Sequence, residues 1–323
     1  MRIPGRPEAR QPFDHRLLLV PVVSGPRSRE AAHLAARLAA GRRSKVILLR
    51  VLVVATELPL DAHLTEQTDE SERLLEECAR IVEAHGVKAE KRLVRARQAG
   101  RAIVEEASAG GVDVVILGAP RSSHRQIFGH TVHYVLKHSP ARVMVAAGKK
   151  RWLPFDDGAS QPAGETLGRI LVPMKVGPIG QEMLTSAVKL AAGYGAKVEA
   201  LYAILVPLEH ALGAELPDEE ERATGAIAEA NLVGAQHGVA VEGSVVRTRS
   251  IGNAIVEHAN TTGADLIVLG SAPRWRRQSR FFSPTVDYVL RRSPAEVLIT
   301  AFPQAASNSD IATSRAVTLG WSS

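Results

Sequence analysis

The residues with the most chemical promise lie in one stretch, Asp113 to Pro140, which reads DVVILGAPRSSHRQIFGHTVHYVLKHSP. Asp113 opens a short apolar run that ends in Gly118. A basic loop containing Arg121 follows. Gly129, His130 and Thr131 then lead into a segment with helical spacing (Val132, Val135, Leu136). Strand, loop and helix N-terminus in that order make a crevice at the carboxyl end of a parallel strand, where open α/β sheets place ligands. The chemistry suited to such a crevice is anion binding. Glycines let the backbone approach phosphate oxygens, the helix N-terminus offers free N–H groups, and a hydroxyl adds a donor. The stretch returns at Asp265 to Pro294, DLIVLGSAPRWRRQSRFFSPTVDYVLRRSP, with Gly270, Ser271, Ser283 and Thr285 at the matching points.

Arginines accompany both copies. Arg95, Arg97, Arg121 and Arg125 are expected near the sheet's carboxyl edge in the first half, and Arg247, Arg249, Arg274, Arg276 and Arg277 in the second. Guanidinium groups there could contact phosphate in bidentate fashion; the alternative is solvated loop charge. Other constellations carry less. His130 and His133 lie three apart on a helix, but no third ligand is placed beside them, so a metal site is not expected. Ser122, Ser123 and His124 are loop neighbours without the strained elbow that a nucleophile needs. Trp275 among arginines suits either base stacking or packing onto its own domain.

The elements that position these groups follow from periodicity. The first half reads as strands at 16–23, 45–55, 87–95, 113–117 and 142–147, separated by helices at 28–40, 66–85, 101–109 and 130–138. Residues 148–168 have no period and read as a linker. Ile170-Leu171-Val172-Pro173 then repeats Leu18-Leu19-Val20-Pro21, and Arg247 to Glu257 repeats Arg95 to Glu105, both at an offset of 152 residues. The expected domains are therefore 15–148 and 169–302, with tails at 1–14 and 303–323. The predicted fold is α/β: two doubly wound, five-stranded parallel sheets of Rossmann-like type.

Composition agrees. Apolar residues make up 45% of the chain, enough for a packed core, and aromatics only 4%, so that core is aliphatic, as buried parallel strands require. The balance of 40 basic to 34 acidic residues gives +6, yet no basic block is interleaved with aromatics, and nucleic acid is not an expected partner. Cys78, the one cysteine, falls on the buried stripe of a helix with Leu74 and Val82, as suits a reducing compartment. No apolar run approaches about 18 residues, so no membrane insertion is expected. The N-terminus lacks the apolar region of a signal peptide. The expected location is cytoplasmic.

The layout resembles the universal stress protein family in tandem form. The likeness rests on the ILVP-type first strand, the acidic-aliphatic-Gly fourth strand, and the ending TVHYVLKHSPARVM at Thr131–Met144, repeated as TVDYVLRRSPAEVL at Thr285–Leu298. It implies strand order 3-2-1-4-5 and an internal pseudo-dimer with the last strands, Val143–Ala146 and Val297–Thr300, in contact; a further homodimer is compatible with it. It also implies a non-enzymatic stress or regulatory role. ATP-binding members are similar in carrying G-x2-G-x9-G-[ST] after the fourth strand and an acid at the end of the first. Both copies depart from this. In the first, Arg121 replaces the second glycine, the spacer is two residues shorter, and His130 replaces the hydroxyl residue. In the second, Pro273, Ser283 and Pro284 stand at those points. Val23 and Lys175 occupy the acid's position. No cofactor is certain from this pattern; ATP, AMP or another phosphate ligand is the expectation. A finer likeness, carried by R-x-R-x-x-G-x-A-I-V-E, is to the cytosolic modules of amino-acid permeases, and it implies the alternative of a ligand-free module regulating a membrane transporter.

Overall fold

The computed structural model describes residues 16–40, 43–62, 64–120, 128–148, 167–174, 177–271 and 282–301. In the first half, β1 (Leu17–Val22), α1 (Pro26–Ala39), β2 (Lys45–Val53), α2 (Thr65–Glu83), β3 (Lys88–Ala96), α3 (Ala99–Ala109), β4 (Val114–Pro120), α4 (His130–His138) and β5 (Arg142–Gly148) alternate. The second half repeats them as β6 (Arg169–Pro173), α5 (Pro178–Tyr194), β7 (Lys197–Leu205), α6 (Pro217–Gln236), β8 (Val241–Thr248), α7 (Ile251–Thr262), β9 (Leu266–Ser271), α8 (Pro284–Arg292) and β10 (Glu296–Ala301). Both halves are parallel and have the order expected from the family likeness, β3-β2-β1-β4-β5 and β8-β7-β6-β9-β10.

The expectation of two separate sheets is corrected in one respect. β5 and β10 pair antiparallel, Leu298 opposite Ala146 and Ile299 opposite Val145, so the halves share one ten-stranded sheet. The physical reason is that an aliphatic edge strand presents a row of unsatisfied backbone groups, and pairing two such edges removes both. Because β5 and β10 run in opposite directions, the carboxyl edge of one half lies on the opposite rim from that of the other.

Alternate strand residues face two helical layers. On one face Leu18, Val20, Leu48 and Ile116 pack under α1 and α2, continuous with Ile170, Val172 and Val268 under α5. On the other, Leu19, Val115 and Val143 lie with Ile103, Val135 and Leu136, continuous with Ile267, Ile255 and Val289. Phe128 and Phe282 meet there edge-on across the junction, ring centroids 5.9 Å apart. On the first face α1 meets α5, where the Arg37 guanidinium lies 4.5 Å over the Tyr194 ring. Gly193 makes room for it: a Cβ would come 2.9 Å from Arg37 Cδ. Cys78 is buried in the same layer, and burial pushes its thiol up to about 12.

Two features of the repeat have structural uses. Asp113, which opens the fourth-strand motif, accepts the backbone N–H groups of Arg16 (2.8 Å) and Leu17 (2.9 Å) through Oδ2. Asp265 does the same for Gly168 (2.8 Å) and Arg169 (2.9 Å). Each carboxylate ties the start of a half's first strand to its fourth. Leu167, buried in the core, and Gly168 thus join the second half rather than the connecting segment.

Candidate functional site

At the carboxyl edge of the first half a cavity of about 290 Å³ opens between β1 and β4, where the strand order reverses. Ligand crevices of doubly wound sheets sit at this switch point. Its walls are aliphatic: Pro21, Val22 and Val23 from the end of β1, Leu49 and Val51 from β2, Ala99 and Ile103 from α3. Its rim is formed by Leu117, Gly118 and Ala119 of β4 and by Gly129, His130, Thr131 and Val132 at the start of α4. The structure therefore brings Gly118, Gly129, His130 and Thr131 to one cavity, although ten residues of chain separate Gly118 from Gly129.

The two glycines differ in what they do. A Cβ on Gly118 would overlap the carbonyl oxygen of Arg27 and come 2.7 Å from its carbon. Gly118 thus lets the first turn of α1 close onto β4. A Cβ on Gly129 would meet nothing within 4 Å, and its φ of −68° suits any residue. Neither the packing nor the backbone of Gly129 demands glycine. As N-cap of α4 it offers no side chain, and among the described residues no side chain caps the first N–H groups of the helix at the cavity mouth.

The second half is different. Ser283 caps α8 itself, its Oγ accepting the Val286 N–H at 3.3 Å, and Pro284 removes one of the free amides. Ser271 is buried at the end of β9, and Thr285 is partly buried on α8. A Cβ on Gly270 would overlap Ile179 Cγ2 and come 2.5 Å from Met183 Sδ, so this glycine too serves helix-on-sheet packing.

The arginines have other partners than the crevice. Arg97 donates through Nη1 to the carbonyls of Val54 (3.2 Å) and Ala55, and through Nη2 to Leu58 (2.7 Å). Arg249 repeats this on Val206 (2.8 Å), Pro207 and His210 (2.5 Å). Arg247 bonds the Ala214 carbonyl and the Glu220 carboxylate. Each R-x-R pair therefore includes a clamp on the loop after the half's second strand. Arg95 is exposed on the edge strand β3. Arg121 and Lys175, with Arg125, Trp275 and the residues around them, lie outside the described residues. The glycine of the same motif is explained as well: Cβ atoms on Gly100 and Gly252 would come 2.9 and 3.1 Å from the Cβ atoms of Tyr134 and Tyr288. Replacing Arg97 or Arg249 by alanine leaves three carbonyls to water. We expect a loss of about 1–2 kcal/mol and faster proteolytic nicking at 54–60 or 206–214, measured by melting and limited proteolysis.

Sequence reasoning missed one polar network. Glu199, buried on β7, accepts from Ser244 Oγ (2.9 Å), Arg169 (3.3 Å) and His258 Nε2 (2.5 Å). Burial acts to raise its pKa, yet the hydrogen bonds from His258, Ser244 and Arg169 hold the carboxyl below its usual range. The matching residue in the first half is Ile47, so repeat comparison points to Glu199 as an intrusion of polarity into an aliphatic position. Among the described residues no group of three or more His, Cys, Asp or Glu is arranged to hold a metal ion, and no helix is long and apolar enough to cross a membrane. His133, beside Phe128, has its pKa lowered by burial and then by His130.

Fold and site together define a tandem, doubly wound α/β protein with a crevice at the switch point of its first half. The family model for universal stress proteins matches residues 15–147 and 166–301, and the chain belongs to that family. A universal stress protein from Archaeoglobus fulgidus DSM 4304 is 18% identical, covering 88% of this chain and 97% of its own at a TM-score of 0.59. A universal stress protein from Pseudomonas aeruginosa UCBPP-PA14 is 17% identical, covering 90% and 94% at 0.57. The universal stress protein from Archaeoglobus fulgidus solved in complex with dAMP is 16% identical, covering 42% and 97% at 0.34. No curated protein matches the chain.

Proposed function

We propose that this is a non-enzymatic stress or regulatory protein that binds an adenine nucleotide, AMP or ATP, through its first half. The observation that carries this reading is the cavity that gathers Gly118, Gly129, His130 and Thr131 at the N-terminus of α4, which no side chain among the described residues caps. A helix N-terminus with available N–H groups favours an anion. Aliphatic walls from β1, β2 and α3 suit the flat face of a base. The second half, self-capped by Ser283 and Pro284, is the weaker candidate.

Among the described residues the cavity's polar side chains are His130 and Thr131, and none of its lining side chains is a carboxylate. Val23 stands, half exposed, where nucleotide-binding relatives carry an acid. These features support binding without hydrolysis. They also support weaker grip on the ribose than in a member with the acid. The transporter reading drew on the R-x-R-x-x-G segment. That segment has a use inside the fold in both halves, loop clamp and tyrosine packing, so no feature of the structure favours it over the nucleotide reading.

The test is to purify the protein without added nucleotide, identify any released small molecule by mass, and record melting with and without AMP and ATP. At about 100 times its dissociation constant a ligand adds roughly 2.7 kcal/mol, a rise of several degrees. Gly129→Ala is expected to leave the unliganded melting temperature within about 1 °C and to shrink the nucleotide-induced rise, since the added methyl occupies the approach to the α4 amides. No bound molecule and no shift with either nucleotide would overturn the reading.

A further inference from the structure

The first turn of α4 carries imidazoles where that of α8 carries a proline and an acid. Tyr134 aligns with Tyr288, so His130 aligns with Pro284 and His133 with Asp287. His130, the first residue of α4, is exposed and lines the cavity. The first turn of α4 holds no acid, whereas Asp287 places one in the first turn of α8. The charged and titratable groups around His130 are few. His133 lies three residues on beside Phe128; burial and then His130 lower its pKa, so it takes up a proton only below the ordinary histidine range. Lys137 and His138 lie at the far end of the helix. The cavity residues supplied by β1, β2, α3 and β4 are all uncharged. Nearby, Arg27 on α1 pairs with Glu30, Arg50 on β2 turns to the Ser71 hydroxyl and the Val22 carbonyl, and Arg101 on α3 bonds Glu105. Arg121, His124 and Arg125 lie outside the described residues.

We propose that His130 couples ligand binding to proton uptake: its imidazolium holds the phosphate at the start of α4, so the site binds more tightly as pH falls from about 8 to about 6. The inference rests on the nucleotide reading of this cavity and adds its regulation. Histidine is the side chain whose charge ordinarily changes in this window. A neutral imidazole gives a phosphate one ordinary hydrogen bond. An imidazolium gives a charge-assisted one, about twice as strong. In the empty site the new cation stands against the positive end of the helix dipole. A bound phosphate reverses that opposition, since an opposite charge nearby favours the charged form. The sign follows: protonated His130 favours the occupied site, a proton is taken up on binding, and affinity is gained at low pH and lost as pH rises. The second half has no counterpart, because Pro284 has no proton to take up and Asp287 repels an anion.

The test titrates the full chain with AMP by calorimetry at about pH 8 and about pH 6, in the wild type, His130→Gln and His130→Lys. Melting at each pH checks that all three are folded, as expected for changes at an exposed position. The AMP phosphate takes up a proton of its own in this window, but that contribution is common to the three proteins and cancels in the comparison. Between the two pH values the affinity of the wild type should gain about fivefold relative to His130→Gln. His130→Lys is charged throughout, so it should bind more tightly than the wild type at the higher pH and run parallel to His130→Gln. AMP bound with the same pH dependence in all three proteins would overturn the proposal and leave the nucleotide reading standing. No AMP bound by the wild type at either pH would overturn both.

Discussion

Gly118→Ala is expected to destabilise the protein by about 3 kcal/mol, lowering the melting temperature by about 4–5 °C, whether or not a ligand is present. The new Cβ would overlap the Arg27 carbonyl, and the obstructing atoms are backbone at the first turn of α1. That turn cannot rotate aside as a side chain can. Arg27 and Glu30 of the same turn also hold the junction with Glu296, so a displaced α1 strains a second contact. Gly270→Ala in the second half should cost less, about 1–2 kcal/mol, because the overlapping atoms are the ends of Ile179 and Met183. Denaturant unfolding of the two variants beside Gly129→Ala orders them: Gly118 worst, Gly270 intermediate, Gly129 near wild type. Equal losses at Gly118 and Gly129 would show that the α1 contact is not what Gly118 serves.

Acid is the second large lever. His33 on α1 and His85 after α2 face each other, Nδ1 to Nε2 at 3.1 Å. Burial lowers the His33 pKa from 6.5 to about 3, with His85 and then Arg37 adding to the effect. His85 is shifted in the same direction by burial and then by Arg37. A folded-state pKa below the unfolded value means that protons are taken up on unfolding. The contribution of His33 is therefore fully present above about pH 6.5 and is lost as pH falls towards 3. Between pH 6.5 and 4 we expect a loss of about 2–3 kcal/mol. The lowered Glu199 acts in the same direction but only below the ordinary carboxylate range, near 4.5. The window separates the two. His33→Gln keeps a hydrogen-bonding group opposite His85 and cannot titrate. Its decline from pH 7 to 5 should be shallower than that of the wild type by the share of His33, with His85 and His133, both lowered by burial, leaving a residual slope. Parallel slopes for both proteins would remove His33 as the cause.

Much of this fold was legible in the sequence because its signals are local. Aliphatic runs such as LLLVP and VVILG, helical spacing at Val132, Val135 and Leu136, and the repeat offset locate the first-half elements to within two residues, except that β4 continues three residues further, to Pro120. The strand order and the meeting of β5 with β10 came from the family likeness. Three things were not legible, and each depends on chain segments distant in sequence. The clamp by Arg97 and Arg249 requires the loop after the second strand to fold its carbonyls towards the end of the third. Gly118 reads as a phosphate glycine until the Arg27 carbonyl is seen above it. The bridge at Glu30, Arg27 and Glu296 requires two halves in register. The difference between the bare α4 N-terminus and the self-capped α8 was partly visible in Ser283-Pro284 against Gly129-His130, since Pro at the first helical position is read directly from the sequence.

The most direct test of the nucleotide site is a titration of the isotopically labelled full-length protein with AMP, followed through backbone amide resonances. The account predicts that the largest shifts fall on His130, Thr131 and Val132 at the start of α4, with Thr285, Val286 and Asp287 of α8 unmoved. Shifts centred on α8, or none at either helix at millimolar AMP, would contradict it.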